Sequence, residues 1–251
     1  FLIFVIYLLK MLEQLALNAD LGEVSHNDEA LMPYLTRCSI ACGGHYGDRE
    51  SIDRTISSAL HPQVKIGAHP SYPDRENFGR AALQVSQEKL MESLAAQLQL
   101  MIDRCQQNEA SLEHIKPHGK FYNDLFRDRE LANGWLNLLE QIFPEPKKIL
   151  VAAGSAVHLE AEDRNFPYLI EAFADRNYND DASLVSRDKP NAMLTDKNAF
   201  KDRLIRSAKG EPIKSVNDKP IDIRSDTLCV HSDSDHIVEN LKFVFDDEQG
   251  N

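Results

Sequence analysis

Short apolar runs that each lead into an ionisable residue recur along the chain, and they constrain its fold more than any other feature. A run over 14–19 leads into Asp20, one over 39–42 passes through Gly43-Gly44 to His45, and one over 64–68 meets His69. Further runs over 113–116, 169–174 and 227–230 lead to His118, Asp175 and His231, while 148–152 ends at the turn dipeptide Gly154-Ser155. The stretches between them carry helical signals. Leu90, Leu94, Leu98, Met101 and Cys105 repeat at helical spacing behind a Ser86 cap. Asp48 caps a helix through Ile52, Ile56 and Leu60, and Ser25 with Asp28 has capping-box spacing. A helical region holds Leu131, Trp135, Leu138 and Leu139, and further helices are expected over 196–209 and 235–245. The segment 212–223, with Asn217-Asp218-Lys219 between extended runs, predicts a hairpin.

Strands alternating with helices imply a mainly parallel sheet, which must be covered on both faces. This number of units in 251 residues favours a distorted (β/α) TIM-like barrel. The rival, a doubly wound open sheet, lacks the glycine-rich dinucleotide fingerprint after its first strand. In a parallel barrel all strand carboxyl ends open on one face, where barrel active sites lie. Asp20, His45, His69 and His118 are the expected catalytic core there, with Asp175 and His231 in support. Lys116 is placed to bind a carboxylate or polarise a carbonyl, and Arg80 and Arg176 offer planar forks for an anion. Arg75 reads as a loop charge. His26, His61, His114, His158 and His236 lack the strand-end pattern and read as surface or core residues. The polar stretch 177–190 is long for a connection and reads as a functional loop.

Two chemistries suit such a mouth. Asp20, His45 and His69 form a possible divalent-metal set that would activate water, although no close-spaced ligand motif supports it. The other is metal-free proton transfer by His and Asp. A serine nucleophile is disfavoured because the G-x-S-x-G elbow is missing, and the Walker phosphate loop is missing too.

The net charge of −12, without a basic stripe, argues against nucleic-acid and anionic-membrane partners. The four cysteines form no C-x-x-C pair and read as free buried thiols of a cytoplasmic protein. The apolar run over 1–9 is shorter than the roughly 20 residues that span a bilayer, and it lacks the flanks of a signal peptide. Met11 is the expected natural start, with 1–10 a non-native or disordered leader and 11–251 a single barrel domain.

Longer blocks carry a resemblance. Leu17-Asn18-Ala19-Asp20-Leu21-Gly22-Glu23, Ile40-Ala41-Cys42-Gly43-Gly44-His45, and Gly67-Ala68-His69-Pro70-Ser71-Tyr72 with Phe78-Gly79-Arg80 resemble the LamB/YcsF family. So do Lys116-Pro117-His118-Gly119 with Tyr122-Asn123, Phe173-Ala174-Asp175-Arg176 with Tyr178, Leu184-Val185 with Arg187, and Cys229-Val230-His231. The resemblance implies a barrel of the glycoside hydrolase/deacetylase type. It further implies the role of the A component of an ATP-dependent 5-oxoprolinase, opening 5-oxo-L-proline to L-glutamate with separate B and C subunits. ATP then belongs to the complex, and self-association of this chain stays open. Glu23 and Asn123 join Arg80, Lys116, Asp175, Arg176 and His231 as expected substrate-binding residues. Gly44 stands where the family usually has Phe, and Ser232 and Asn191 stand where Gly is usual. Gly44 is expected to enlarge the pocket wall. The alternatives are a stand-alone metal-dependent deacetylase or amidohydrolase, and a non-catalytic substrate-binding component.

Overall fold

The computed structural model describes residues 15–246, apart from 25, 83, 84, 188 and 235. The expectations for residues 1–10 and for Ser25 fall outside the described residues. Seven strands close a parallel barrel: β1 (Leu17–Leu21), β2 (Arg37–Ala41), β3 (Lys65–His69), β4 (Leu112–Ile115), β5 (Lys148–Ala152), β6 (Tyr168–Phe173) and β9 (Thr227–His231). They pair in chain order, and β9 closes the ring between β6 and β1. The short antiparallel pair β7 (Ile213–Lys214) and β8 (Pro220–Ile221) is the hairpin read from the sequence.

Helices follow where their caps predict. Asp48 opens α2 (Arg49–Leu60) with a reciprocal bond to Ser51, after a short α1 (Asp28–Leu31). Ser86 opens α3 (Gln87–Gln107). After α4 (Gly119–Leu125), Asp128 caps α5 (Arg129–Ile142), whose buried Trp135 meets Phe121 edge-on at 5.2 Å between centroids. Asp196 opens α7 (Lys197–Lys209), Gly210 ends it in the left-handed conformation, and α8 (Ile237–Phe245) completes the ring. One helix is not apparent from the sequence. Gly154-Ser155 is more than a turn, because the Ser155 hydroxyl accepts from the His158 amide and starts α6 (Ala156–Asp163). With only Val157 and Ala161 buried among its apolar residues, α6 presents a weak periodic signal.

Strand alternation sorts side chains between two environments. Leu17, Ala19 and Leu21 of β1, Cys38 and Ile40 of β2, and Ile66 and Ala68 of β3 join the apolar layer under the helices. Each large aliphatic side chain buried there contributes about 1.5–3 kcal/mol. Polar residues at the alternate positions meet one another inside the barrel. Asn18 donates to the Thr227 hydroxyl (2.9 Å), and Ser39 pairs with His114 Nε2 (3.2 Å). His114, read from the sequence only as surface or core, is thus a fully buried interior residue of β4. All four cysteines are buried and free.

Gly67 makes room for this layer, since a Cβ there would lie 2.3 Å from His114 Nε2. Gly67→Ala should therefore cost about 1–3 kcal/mol of stability by overpacking, read as a lower urea midpoint. Adding His114→Ala should restore part of that loss. An unchanged midpoint in the single variant would refute this account of the layer.

Candidate active site

The polar interior leads to the carboxyl mouth through Lys116, the first residue after β4. Its ammonium lies 2.9 Å from Asp20 Oδ1 and 2.9 Å from Glu171 Oε1, with Asn18 Oδ1 at 3.4 Å and Cys229 Sγ at 3.2 Å. Burial alone would lower the lysine, but Asp20, Cys229 and Glu171 outweigh it and hold its pKa well above the ordinary value. Burial would likewise raise Asp20, yet His69 and Lys116 hold its carboxyl well below the usual range. Glu171 goes the other way, raised chiefly by burial. One ammonium between two carboxylates supports both unequally, and the more deeply buried Glu171 is the one pushed towards its neutral form. Asp20 stays ionised at the mouth.

Beside Asp20, three histidines converge on Glu23. Glu23 Oε1 lies 2.7 Å from His45 Nε2, 3.8 Å from His69 Nε2 and 3.5 Å from His118 Nδ1. His69 Nε2 also lies 3.3 Å from Asp20 Oδ2 and 3.0 Å from His118 Nδ1. The outer nitrogen of each ring is tied down. His69 Nδ1–H donates to the Lys116 carbonyl (2.7 Å), and His118 Nε2–H donates to the Phe78 carbonyl (3.0 Å). The Ser71 hydroxyl donates to the Tyr72 carbonyl, so it accepts from His45 Nδ1–H at 3.0 Å. These bonds turn the other nitrogen of each ring towards Glu23.

The four ligand atoms lie within 4.8 Å of one another. Inward lone pairs facing a carboxylate oxygen, with the outer N–H groups held by carbonyl or hydroxyl acceptors, suit a cation of the zinc class. Without one, a proton must separate these atoms. Accordingly burial raises the Glu23 pKa, and Asp20 and Glu23 overcome burial to raise that of His69. His45 and His118, stacked at 3.7 Å, are held down at about 2, first by burial and then by His69. Phe78 closes the cluster edge-on to both rings and holds a left-handed φ of 55°. That conformation is costly for a phenylalanine, and it aims the carbonyl that fixes His118.

The cluster opens into a cavity of about 490 Å³ lined by Asp20, Glu23, His69, Lys116 and His118 and also by Phe173, Arg176, Arg187 and His231. His231 sits opposite Asp20 in the β1–β9 register. Its Nδ1 lies 2.9 and 3.2 Å from the two oxygens of the buried Asp175 carboxylate, which also accepts the His231 amide at 2.7 Å. Phe173 stacks on this ring at 5.7 Å. Nε2 is thus the nitrogen left to face the cavity.

The expected site residues fall into place unevenly. Asp20, His69, His118, Glu23, Arg80, Lys116, Asn123, Arg176 and His231 all line the cavity. His45 stands behind Glu23, and Asp175 behind His231. The possible metal set of Asp20, His45 and His69 is redrawn: Lys116 engages Asp20, and Glu23 with His118 completes the converging donors. Gly44 does not widen the cavity wall. It packs behind His45, where a Cβ would meet Gln97 Oε1 and Ser71 Oγ at 2.4 Å. Arg75 is more than a loop charge, since it binds the Gly43 and Gly47 carbonyls. Glu171, Ser71, Phe78 and Arg187 do not stand out in the sequence as site residues. Of these, a carboxylate within the apolar run of β6 was the one detectable signal.

Together these features define an α/β-barrel protein with an acid–histidine site at its carboxyl mouth. The sequence profile described as the LamB/YcsF family matches residues 15–249, and the chain belongs to this family. The chain is similar to the 5-oxoprolinase A subunit of Haemophilus influenzae, with 34% identity over 241 residues, 96% of this chain and 98% of that protein. The Thermococcus sibiricus protein of the same name is 38% identical over 235 residues, 91% of each chain. Among solved structures, the lactam utilization protein of Thermus thermophilus superposes with a TM-score of 0.84 at 26% identity, covering 94% of this chain and 97% of that one. Among the described residues no helix is long and apolar enough to cross a membrane.

The two low-pKa histidines set a pH dependence. In the unfolded chain an imidazole titrates near 6.5, whereas His45 and His118 titrate at about 2 in the fold. The unfolded chain binds more protons across that window, so their stabilising effect is complete above about pH 6.5 and lost as pH falls. The urea midpoint should drop between pH 7 and pH 5, and His45→Gln should flatten that drop. An identical pH profile in the variant would contradict the assignment.

Proposed function

We propose that this chain is the A component of an ATP-dependent 5-oxoprolinase and opens the lactam of 5-oxo-L-proline to L-glutamate together with B and C subunits in the cytoplasm. The observation that carries this reading is one cavity that brings together an ionised Asp20 beside Lys116, the histidine cluster, and the Asp175–His231 pair on the neighbouring strand. The names of the relatives point to the same substrate class.

Lactam hydrolysis adds water to the ring carbonyl carbon, breaks the C–N bond and gives the nitrogen a proton. Asp20, kept as a carboxylate by Lys116, is the base for the water. The Lys116 ammonium, whose N–H groups are bonded inside the barrel, supplies positive potential behind Asp20 that favours negative charge gathering on the carbonyl oxygen. His231, oriented by Asp175, delivers the proton to the departing nitrogen. Arg80, Arg176 and Asn123 position the substrate. A divalent cation held by Glu23, His45, His69 and His118 would supply Lewis acidity at the water. ATP enters at the level of the assembled complex.

The Glu23–histidine cluster also favours a second reading, a stand-alone metal-dependent amidohydrolase or deacetylase. Glutamate formation from 5-oxo-L-proline and ATP, by this chain mixed with cognate B and C subunits, separates the two. Asp20→Asn should lower that rate at least 100-fold while leaving the assembled complex intact by gel filtration. Metal analysis of the same samples should show about one equivalent of divalent ion, lost in Glu23→Gln. No glutamate with competent partners would refute the first reading; full activity in Asp20→Asn would refute the catalytic role of this mouth.

A further inference from the structure

Arg80, Arg176 and Arg187 all line the cavity, and among the described residues Asp233 is the only carboxylate within ion-pair distance of any of them. Arg176 is buried at 7% exposure and lines the cavity. One of its terminal nitrogens donates to the Val185 carbonyl at 2.7 Å, but its Nε–H is buried without a partner. A buried guanidinium nitrogen facing no acceptor is costly unless something enters to meet it. Arg187, from the same excursion between β6 and β9, acts on Arg176 electrostatically. The Arg176 pKa is lowered first by burial and then by Arg187.

Arg187 has an incomplete partner of its own. Arg187 and Arg80 reach one and the same oxygen, Asp233 Oδ2, each at 3.4 Å. Arg80 arrives from the loop after β3, Arg187 from the excursion after β6, and Asp233 follows β9. Two guanidiniums therefore share one half-exposed carboxylate oxygen, and among the described residues Arg176 has no carboxylate within ion-pair distance. Contacts of this length and exposure are weak and easily exchanged.

We propose that Arg176 and Arg187 form a clamp for the carboxylate of the substrate, and that Asp233 is an internal placeholder which that carboxylate displaces from Arg187. The proposal rests on the lactam reading and sharpens it: the site selects lactams that bear a carboxylate. The orphaned Arg176 Nε–H gains an acceptor, and Arg187 exchanges a long shared contact for a bidentate one. The lactam ring then lies inward, towards Lys116 and the histidine cluster.

Calorimetric titration of the full chain tests this with two probes of one ring, L-5-oxoproline and 2-pyrrolidinone, which lacks the carboxylate. The wild type should bind L-5-oxoproline at least tenfold more tightly. Arg187→Gln, at an exposed position that folding does not depend on, should erase that preference and leave 2-pyrrolidinone binding unchanged. Asp233→Asn should tighten L-5-oxoproline severalfold by removing the competitor. A tenfold preference surviving in Arg187→Gln overturns the clamp and leaves the lactam reading standing, as does a wild type that binds both lactams equally. If neither lactam binds but succinate does, in a manner lost in Arg187→Gln, the clamp stands and the 5-oxoproline reading falls.

Discussion

The Lys116 ammonium is almost cut off from water, so groups inside the barrel must accept its hydrogen bonds. They come from three strands: Asn18 and Asp20 of β1, Glu171 of β6 and Cys229 of β9. Removing one partner of such a buried pair typically costs about 3–5 kcal/mol, because the other charge is left alone. The same contact sets the two carboxylates apart, since the Asp20 pKa is held well below the usual range while burial raises that of Glu171. It also keeps Asp20 from joining the converging donors around Glu23. The strand-end Asp thereby stays paired with the lysine, and the loop glutamate takes its place among the histidines.

That second cluster depends on backbone rather than on further side-chain charge. The carbonyls of Lys116 and Phe78 and the Ser71 hydroxyl fix which nitrogen of each ring faces Glu23. Gln97 of α3 accepts from the Ser71 amide and donates to the Ser71 carbonyl, so an outer helix holds the loop that orients His45. Gly44 has no side chain because that bridge occupies the space a Cβ would need. The strained Phe78 belongs to the same scaffold, its unfavourable φ held in place by loop bonds such as Gly79 N–H to the Asp74 carbonyl.

Most of the architecture was legible in the sequence because strand period and caps are local signals. Asp48, Ser86 and Asp196 marked their helices, and the runs ending at Asp20, His69 and His231 marked strands of the ring. The convergence of Asp20, His69 and His118 followed from topology alone. The partnerships did not. Glu23 lies beyond β1 with no strand-end position, and its distances to three rings depend on loop paths that periodicity does not encode. Glu171 looked like an irregularity in an apolar run, because its partner Lys116 is distant in sequence. The role expected for Gly44 failed for a related reason: which neighbour fills the space beside a glycine is decided by another element, here α3.

The closure of β6 directly onto β9 has a wider implication. The chain between these strands leaves the ring and returns without adding to it, and many of its bonds are internal. Asn177 N–H donates to the Ala192 carbonyl, Val185 N–H to the Asn177 carbonyl, and Val216 N–H to the Tyr178 carbonyl. This excursion supplies Arg176 and Arg187, whereas the acid–histidine cluster comes from the segments around β1–β4. Two halves of one cavity thus sit on separately held pieces of chain. Beyond Asp175, mutations can accumulate in the excursion without disturbing the ladder bonds of the barrel or the tautomers of the three histidines around Glu23. A barrel wired in this way can try new ligands during evolution while its Glu23–histidine cluster stays unchanged.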